Sequence, residues 1–398
     1  MDQKYPETIS IRTQNPNSLY REHSTPLYMT SSFTFEDAEH ARALFSDEVP
    51  GNIYTRFSNP NNNEFIEKLC LLEGAEDGIG TASGMAAMFS SMAGLLQAGD
   101  HILASRSVFG STHQLFTTIF PKWGITHSYA DIDKPETWES KIRSNTKMIF
   151  VETPSNPALD IIDLEWLGRL SKKHALILNV DNCFATPYLQ NPIQWGADLV
   201  THSATKFIDG QGRAIAGAIV GRKDLIKDIR FFARHTGPAL SPFNGWLLSK
   251  SLETLAVRMD KHCENALTLA KHLSNHSEIK DVKYPFLTTH PDYEVAKKQM
   301  KLGGGIVTFV VSGGLERGRA FLNSLKMLSL TANLGDTRTT VTHSASTTHS
   351  KLSEAEQEKV GILPGLIRVS VGLEHINDII ADIDFALEKT RKPAAAVV

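Results

Sequence analysis

Four short apolar runs most constrain the fold of this chain. They are His101-Ile102-Leu103-Ala104, Met148-Ile149-Phe150-Val151, Ala175-Leu176-Ile177-Leu178-Asn179-Val180 and Ala197-Asp198-Leu199-Val200. Each has the length of a strand, and helix-like stretches separate them. A strand apolar on both faces belongs inside a parallel sheet. The alternation predicts an α/β layer over residues 61–255, with a mostly parallel sheet and helices on both faces. Residues 83–96, SGMAAMFSSMAGLL, are apolar nearly all round and predict a buried helix.

Residues 1–60 are rich in Ser, Thr, Asn and Pro and read as an arm, with a short helix only over 35–45. A helical pattern over 241–274 carries the boundary to a C-terminal domain, 256–398. Strand candidates at 306–311 and 366–371 and a final helix at 377–390 make that domain a smaller α+β unit. The tail 392–398 is expected to fray.

The 398 residues suffice for two or three domains, and 41% hydrophobic with 21% charged residues is ordinary for a soluble globular protein. A net charge of −3 gives no basic footprint for nucleic acid or anionic lipid. Three scattered cysteines argue against a disulfide framework and for a reducing cytoplasm. No apolar leader opens the sequence and no run is long enough to span a bilayer, so neither secretion nor membrane insertion is expected.

Lys206, in Ser203-Ala204-Thr205-Lys206, follows the fourth run, and Asp181 ends the third. A lysine among small hydroxyl residues, with an aspartate at a neighbouring strand end, suits pyridoxal phosphate (PLP). The lysine forms a Schiff base, the aspartate pairs with the pyridinium nitrogen, and the hydroxyls hold phosphate. Ligands of open α/β sheets gather beyond the carboxyl ends of the strands. Ser83-Gly84-Met85 opens the buried helix after the Gly-rich stretch 78–82, and a helix N-terminus can seat phosphate. Glu152 and Asn156 follow the second run. Tyr54 and Arg56 in the arm offer a phenol and a guanidinium suited to phosphate. Arg368, in a late strand, suits a substrate carboxylate.

Singly, each feature has a plain structural explanation: a strand-end aspartate is often a helix N-cap, and a Gly-rich turn often marks tight packing. Their joint occurrence in one order points to the cofactor. Two rival motifs fail. Ser203-Ala204-Thr205-Lys206 matches S-x-x-K, but no S-D-N accompanies it and Gly210-Gln211-Gly212-Arg213 follows instead of a helix. Gly78, Gly80 and Gly84 miss G-x-G-x-x-G by one position. The fifteen histidines show no metal-ligand spacing, so no metal is expected.

From about residue 13 to 387 the chain resembles the Cys/Met-metabolism family of PLP enzymes. The matching stretches are Tyr54-Thr55-Arg56-Phe57-Ser58-Asn59-Pro60, Ser83-Gly84-Met85-Ala86-Ala87, Glu152-Thr153-Pro154-Ser155-Asn156-Pro157 and Val180-Asp181-Asn182. Ser203-Ala204-Thr205-Lys206, Leu334-Gly335-Asp336 and Ile367-Arg368-Val369-Ser370-Val371-Gly372-Leu373-Glu374 complete them. The resemblance implies fold type I, the aspartate-aminotransferase-like fold. It implies Lys206 as Schiff-base lysine and α-proton shuttle, and Asp181 as partner of the pyridine nitrogen. Gly84, Met85, Ser203 and Thr205 would bind phosphate. Tyr54 and Arg56 would reach it from a neighbouring subunit, in at least a dimer and usually a homotetramer. Asn156 and Arg368 would orient the cofactor oxygen and the substrate carboxylate.

Three departures bear on the substrate. Phe109 stands where most members have a tyrosine that stacks on the cofactor and transfers protons. Phenylalanine stacks but donates no proton, and general acid help is typically worth roughly 10²–10⁴-fold. A leaving thiol has a pKa of about 8.5, whereas a carboxylate, at about 4.3, leaves unaided. Phe109 therefore favours an acyl leaving group, as in an O-acylhomoserine. Gly210-Gln211-Gly212-Arg213 stands where most relatives carry Gly-His, and Asn333 where lyases commonly have Ser. Both look like the O-succinylhomoserine sulfhydrylase branch, with O-succinylhomoserine and sulfide as substrates and homocysteine as product. The alternatives are a cystathionine γ-synthase, then a methionine or cystathionine γ-lyase, and, from another class, a catalytically silent PLP-binding regulator. Arg106 is a candidate partner for the succinyl carboxylate beside its plain reading as a surface arginine, and Cys183 stands where Thr is usual.

Overall fold

The computed structural model describes residues 4–347 and 362–391. The tail expected to fray, 392–398, lies outside them. The first sheet has seven strands: β1 (Asp77–Thr81), β2 (His101–Ser105), β3 (Thr126–Ala130), β4 (Thr146–Glu152), β5 (Ile177–Asp181), β6 (Leu199–His202) and β7 (Gly217–Gly221). Their spatial order is β1-β7-β6-β5-β4-β2-β3. β7 alone runs against the rest, pairing antiparallel with β1 and β6. The sheet is thus mostly parallel. The four apolar runs are β2, β4, β5 and β6.

Both faces of these strands are covered. Leu103, Ile149, Val151, Leu178, Val180 and Val200 face a core shared with Phe65 and Leu69 of helix Pro60–Glu73 and Leu167 of helix Leu164–Lys173. Their neighbours Ile102, Ala104, Met148 and Phe150 face Met88 and Met92 of helix Gly84–Ala93. Leu199 and Ile219 meet Ile226 and Ile229 of helix Lys223–Thr236. This two-sided burial explains why apolar residues run consecutively through these stretches instead of alternating.

The second sheet comprises β8 (Ile279–Lys283), β9 (Ile306–Val311), β10 (Ser329–Leu330), β11 (Thr340–His343) and β12 (Leu366–Ser370), ordered β10-β11-β12-β9-β8. Here one face is apolar: Val307, Phe309, Val341, Ile367 and Val369 pack on helices Leu255–Ser274, Gly314–Ser324 and Ile376–Lys389. The alternate positions Thr308, Arg368 and Thr342 lie opposite one another in register. Period-two patterning thus places Arg368 on the face opposite these helices, beside Thr308 and Thr342.

Three expectations change. The Gly-rich stretch before the buried helix is itself a strand, β1. The arm holds a helix, Pro6–Arg12, besides Ala38–Phe45. The pattern over 241–274 is two helices, Pro242–Leu252 and Leu255–Ser274. Buried Glu64 ties the arm to the body, accepting from the Asn15 N–H at 2.9 Å and from the Thr25 hydroxyl.

Candidate active site

The strand order reverses between β2 and β4, because β3 lies outside β2 while β4 to β6 continue on its other side. Such a reversal opens a crevice at the carboxyl ends of the strands. The polar residues converge there. Glu152 and Asp181, the last residues of β4 and β5, lie opposite each other in register. The Phe109 N–H, from the loop after β2, donates to Glu152 Oε2 at 2.7 Å and bridges the crevice. Phe109 is half-exposed, while Val108 beside it is buried.

Asp181 and Glu152 are both buried, and neither forms an ion pair among the described residues. Burial raises the Asp181 carboxyl to about 6, against the Cys183 N–H that it accepts at 3.0 Å and the opposing pull of His202. Burial and then Asp181 push Glu152 well above the usual carboxylate range, offset by the N–H groups of Phe109 and Asn156. A cation delivered to this pair would relieve both. Burial, and to a smaller extent Arg368, lowers the Lys206 ammonium and moves the amine towards neutrality, while Cys183 opposes them. The Cys183 thiol is pushed up, by burial first and Asp181 second.

Lys206 follows β6, and its Nζ donates to Asn333 Oδ1 at 2.6 Å. Arg368 donates to Asn156 Oδ1 at 3.0 Å, to the Ala332 carbonyl at 3.3 Å and to Thr342 Oγ1 at 3.4 Å. Its Nε is buried without a partner, and no carboxylate pairs with its guanidinium among the described residues. Burial lowers Arg368 to about 10. A buried guanidinium with a free donor is a receptor for an anion.

Ser83 caps helix Gly84–Ala93 by accepting from the Ala86 N–H at 3.1 Å. Gly84 approaches Ser203 so closely that any Cβ at 84 would collide with the Ser203 side chain. Met85 follows in the first turn, half-buried. Thr205 Oγ1 accepts from the Ala216 N–H at 3.0 Å, which braces the Lys206 turn against β7. Lys206, Asp181, Ser203, Gly84, Asn333, Asn156, Arg368 and Phe109 therefore share one end of the sheets.

Tyr54, Arg56 and Arg106 do not join them within this chain. Arg56 donates to the Arg234 carbonyl and stacks on Tyr54 and Phe57. It lines a cavity of about 560 Å³ that Lys206 does not line. Arg106 pairs with Asp131 at 2.7 Å and lies over the Tyr129 ring, beside edge strand β3. The role of Glu152 was not legible in its motif, because its pairing with Asp181 is a matter of register between strands.

These features can be tested against pyridoxal phosphate. A buried carboxylate pair suits a protonated ring nitrogen, a poorly charged amine suits Schiff-base chemistry, and a helix start narrowed to glycine suits phosphate. The residues present fit the group. The family model for Cys/Met metabolism PLP-dependent enzymes matches residues 7–388. The chain belongs to the Cys/Met-metabolism family of PLP-dependent enzymes. Its cofactor is pyridoxal phosphate. It is 44% identical to an O-succinylhomoserine sulfhydrylase of Pseudomonas aeruginosa, over 95% of this chain and 94% of that one. It is 41% identical to an L-methionine gamma-lyase of Fusobacterium nucleatum, over 96% and 98%. A Campylobacter jejuni protein assigned as an O-acetylhomoserine (thiol)-lyase, solved with N'-pyridoxyl-lysine-5'-monophosphate, superposes with a TM-score of 0.93 at 35% identity, covering 96% of this chain and 99% of that one. The fold-type-I expectation is thereby borne out. No helix among the described residues is long and apolar enough to cross a membrane.

Proposed function

We propose that this PLP enzyme is an O-succinylhomoserine sulfhydrylase, which replaces the succinate of O-succinylhomoserine by sulfide and yields homocysteine. The observation that carries this reading is Phe109, which bridges the crevice through its N–H yet has no phenol to protonate a leaving thiolate. An acyl substrate needs no such proton. When bound, the cofactor supplies an electron sink conjugated to the substrate nitrogen.

The chain's own residues divide the remaining work. Asp181, with Glu152 beside it, keeps a ring nitrogen protonated because ionising the buried pair without a cation is costly. Gly84, Met85, Ser203 and Thr205 bind phosphate, and Tyr54 and Arg56 complete that seat from a neighbouring subunit in a homotetramer. Arg368 binds the substrate α-carboxylate, aimed by Asn156. Lys206 carries the proton taken from Cα, and Asn333 aims its amine. A Cβ proton follows the Cα proton, the electron pair it leaves expels succinate as a carboxylate by breaking the Cγ–O bond, and hydrosulfide adds at Cγ to form the Cγ–S bond. The protons removed from Cα and Cβ are returned to carbon. Soluble cytoplasmic operation fits this chemistry.

A second reading, γ-elimination from methionine, draws on relatives named methionine gamma-lyases at 41% identity. Phe109 weighs against it. The test offers O-succinylhomoserine and O-acetylhomoserine, each with sulfide or with cysteine. The highest kcat/KM is expected for the succinyl ester with sulfide. A clear preference for cysteine would make the protein a cystathionine γ-synthase instead.

A further inference from the structure

Residues 203–210 fold back into a tight double turn around Lys206. The Lys206 N–H donates to the Ser203 carbonyl at 3.1 Å, Asp209 N–H to Ala204 at 2.9 Å and Gly210 N–H to Lys206 at 2.8 Å. The winding stops there, so the carbonyls of Phe207 and Ile208 lack the N–H donors that a continuing helix would bring. Arg258, near the start of helix Leu255–Ser274, takes their place. Its guanidinium donates to the Phe207 carbonyl at 2.6 Å, the Ile208 carbonyl at 3.2 Å and the Ser251 carbonyl at 2.9 Å. Its Nε donates to Thr254 Oγ1 at 3.3 Å.

Arg258 is only 5% exposed and has no carboxylate at ion-pair distance among the described residues. Asp209 and Arg213 are the charges that act on it, and Asp209 is already held by Arg213. An unpaired buried cation is costly, and here its hydrogen-bond compensation is three neutral carbonyls and the Thr254 hydroxyl, with Asp209 acting at longer range. The neighbouring chain is shaped around it. Gly210 has a φ of +69°, and any Cβ there would collide with the guanidinium, so glycine is required on both counts. The Phe207 ring meets His262 edge-on at 5.2 Å, and His262 Nδ1 lies 2.6 Å from the Val371 carbonyl. The residue after Lys206 is thus fixed through its main chain by Arg258 and through its ring by the same helix.

We propose that Arg258 is a positioning residue for Lys206: its guanidinium closes the turn that aims the lysine into the crevice. The proposal rests on the reading of Lys206 as the cofactor lysine. Cys183 and Arg368 are the ionisable groups acting on the Lys206 amine, and Asn333 accepts its hydrogen bond. A loosened turn therefore lets the amine leave buried surroundings and approach its ordinary, higher pKa.

Three variants test this. Arg258→Met removes the guanidinium, Arg258→Lys keeps one donor, and Gly210→Ala displaces the guanidinium without deleting it. In holoenzyme, the pH midpoint of the bound-cofactor absorbance, which reports the lysine nitrogen bonded to the cofactor and not a free amine, should shift by about half a unit or more in Arg258→Met and Gly210→Ala, and less in Arg258→Lys. Turnover should fall roughly tenfold or more with KM little changed. In cofactor-free full-length protein, acetic anhydride labelling of Lys206 across pH, read by peptide mass spectrometry, should show the same ordering of midpoints. Should Arg258→Met not fold, the other two variants carry the test. Variants that lose thermal stability but keep the wild-type midpoints in both assays overturn the proposal and leave Arg258 a packing residue. A wild type that takes no cofactor on Lys206 removes the functional reading, and the labelling midpoints alone then decide the role of Arg258.

Discussion

At the scale of single residues, Phe109 and Asp181 carry the sharpest consequences. Phe109→Tyr restores a proton donor at the crevice and should raise γ-elimination from thioether substrates about tenfold or more, at the low end of general acid effects. Methanethiol release from methionine reads it, and an unchanged rate would detach Phe109 from leaving-group choice. Asp181 has its carboxyl raised to about 6, above its usual value of about 3.9. The folded protein therefore holds this proton more tightly than the unfolded chain does. The resulting stabilisation is full below about pH 4 and is lost as pH rises through about 6. Cofactor-free Asp181→Asn escapes that loss. Its thermal midpoint should match wild type near pH 4 and exceed it at pH 8, reflecting a stability difference on the order of 1–3 kcal/mol. Saturating pyridoxal phosphate should reverse the order at pH 8, because only a carboxylate pairs with a ring cation. Equal midpoints at pH 8 without cofactor would show that burial costs Asp181 little.

Among the elements, helix Gly84–Ala93 is the one whose start must stay open. A methyl at 84 collides with Ser203, and overpacking of this kind costs about 1–3 kcal/mol. Gly84→Ala should therefore weaken cofactor binding roughly tenfold while far-UV circular dichroism stays unchanged, as equilibrium dialysis will reveal. Element by element, legibility followed burial. β2, β4, β5 and β6 were legible because two-sided burial gives each a run of consecutive apolar residues, and β9 matched its expected 306–311. β7 was missed because glycines at 217 and 221 dilute its apolar signal, and β3 because an edge strand reading Thr126-His127-Ser128-Tyr129-Ala130 carries polar side chains. The site was legible as motifs and not as contacts. Lys206 and Asn333 meet across 127 residues, and Asn156 and Arg368 across 212. No local pattern encodes such pairs; strand order and register bring them together. Arg106 shows the converse, since proximity in sequence to Phe109 did not keep it from pairing with Asp131.

For the whole molecule, the arm poses the question of whether a neighbouring subunit completes the site. Within one chain Arg56 holds the Arg234 carbonyl and does not meet Lys206. Completion from a neighbour predicts complementation. Arg56→Ala and Lys206→Ala proteins, each inactive alone, should regain activity when co-refolded, because a mixed dimer holds one site with both residues intact. No recovery would assign Arg56 to its own subunit's site. The chemistry of the assembled enzyme is tested most directly in one vessel. Wild-type holoenzyme receives O-succinylhomoserine, sulfide and methionine at equal concentrations, and the products are quantified over time. Homocysteine and succinate in equal amounts, with only a trace of methanethiol, is the result expected of a γ-replacement enzyme with Phe109 at its crevice. Methanethiol as the main product, with O-succinylhomoserine left unconsumed, would contradict it.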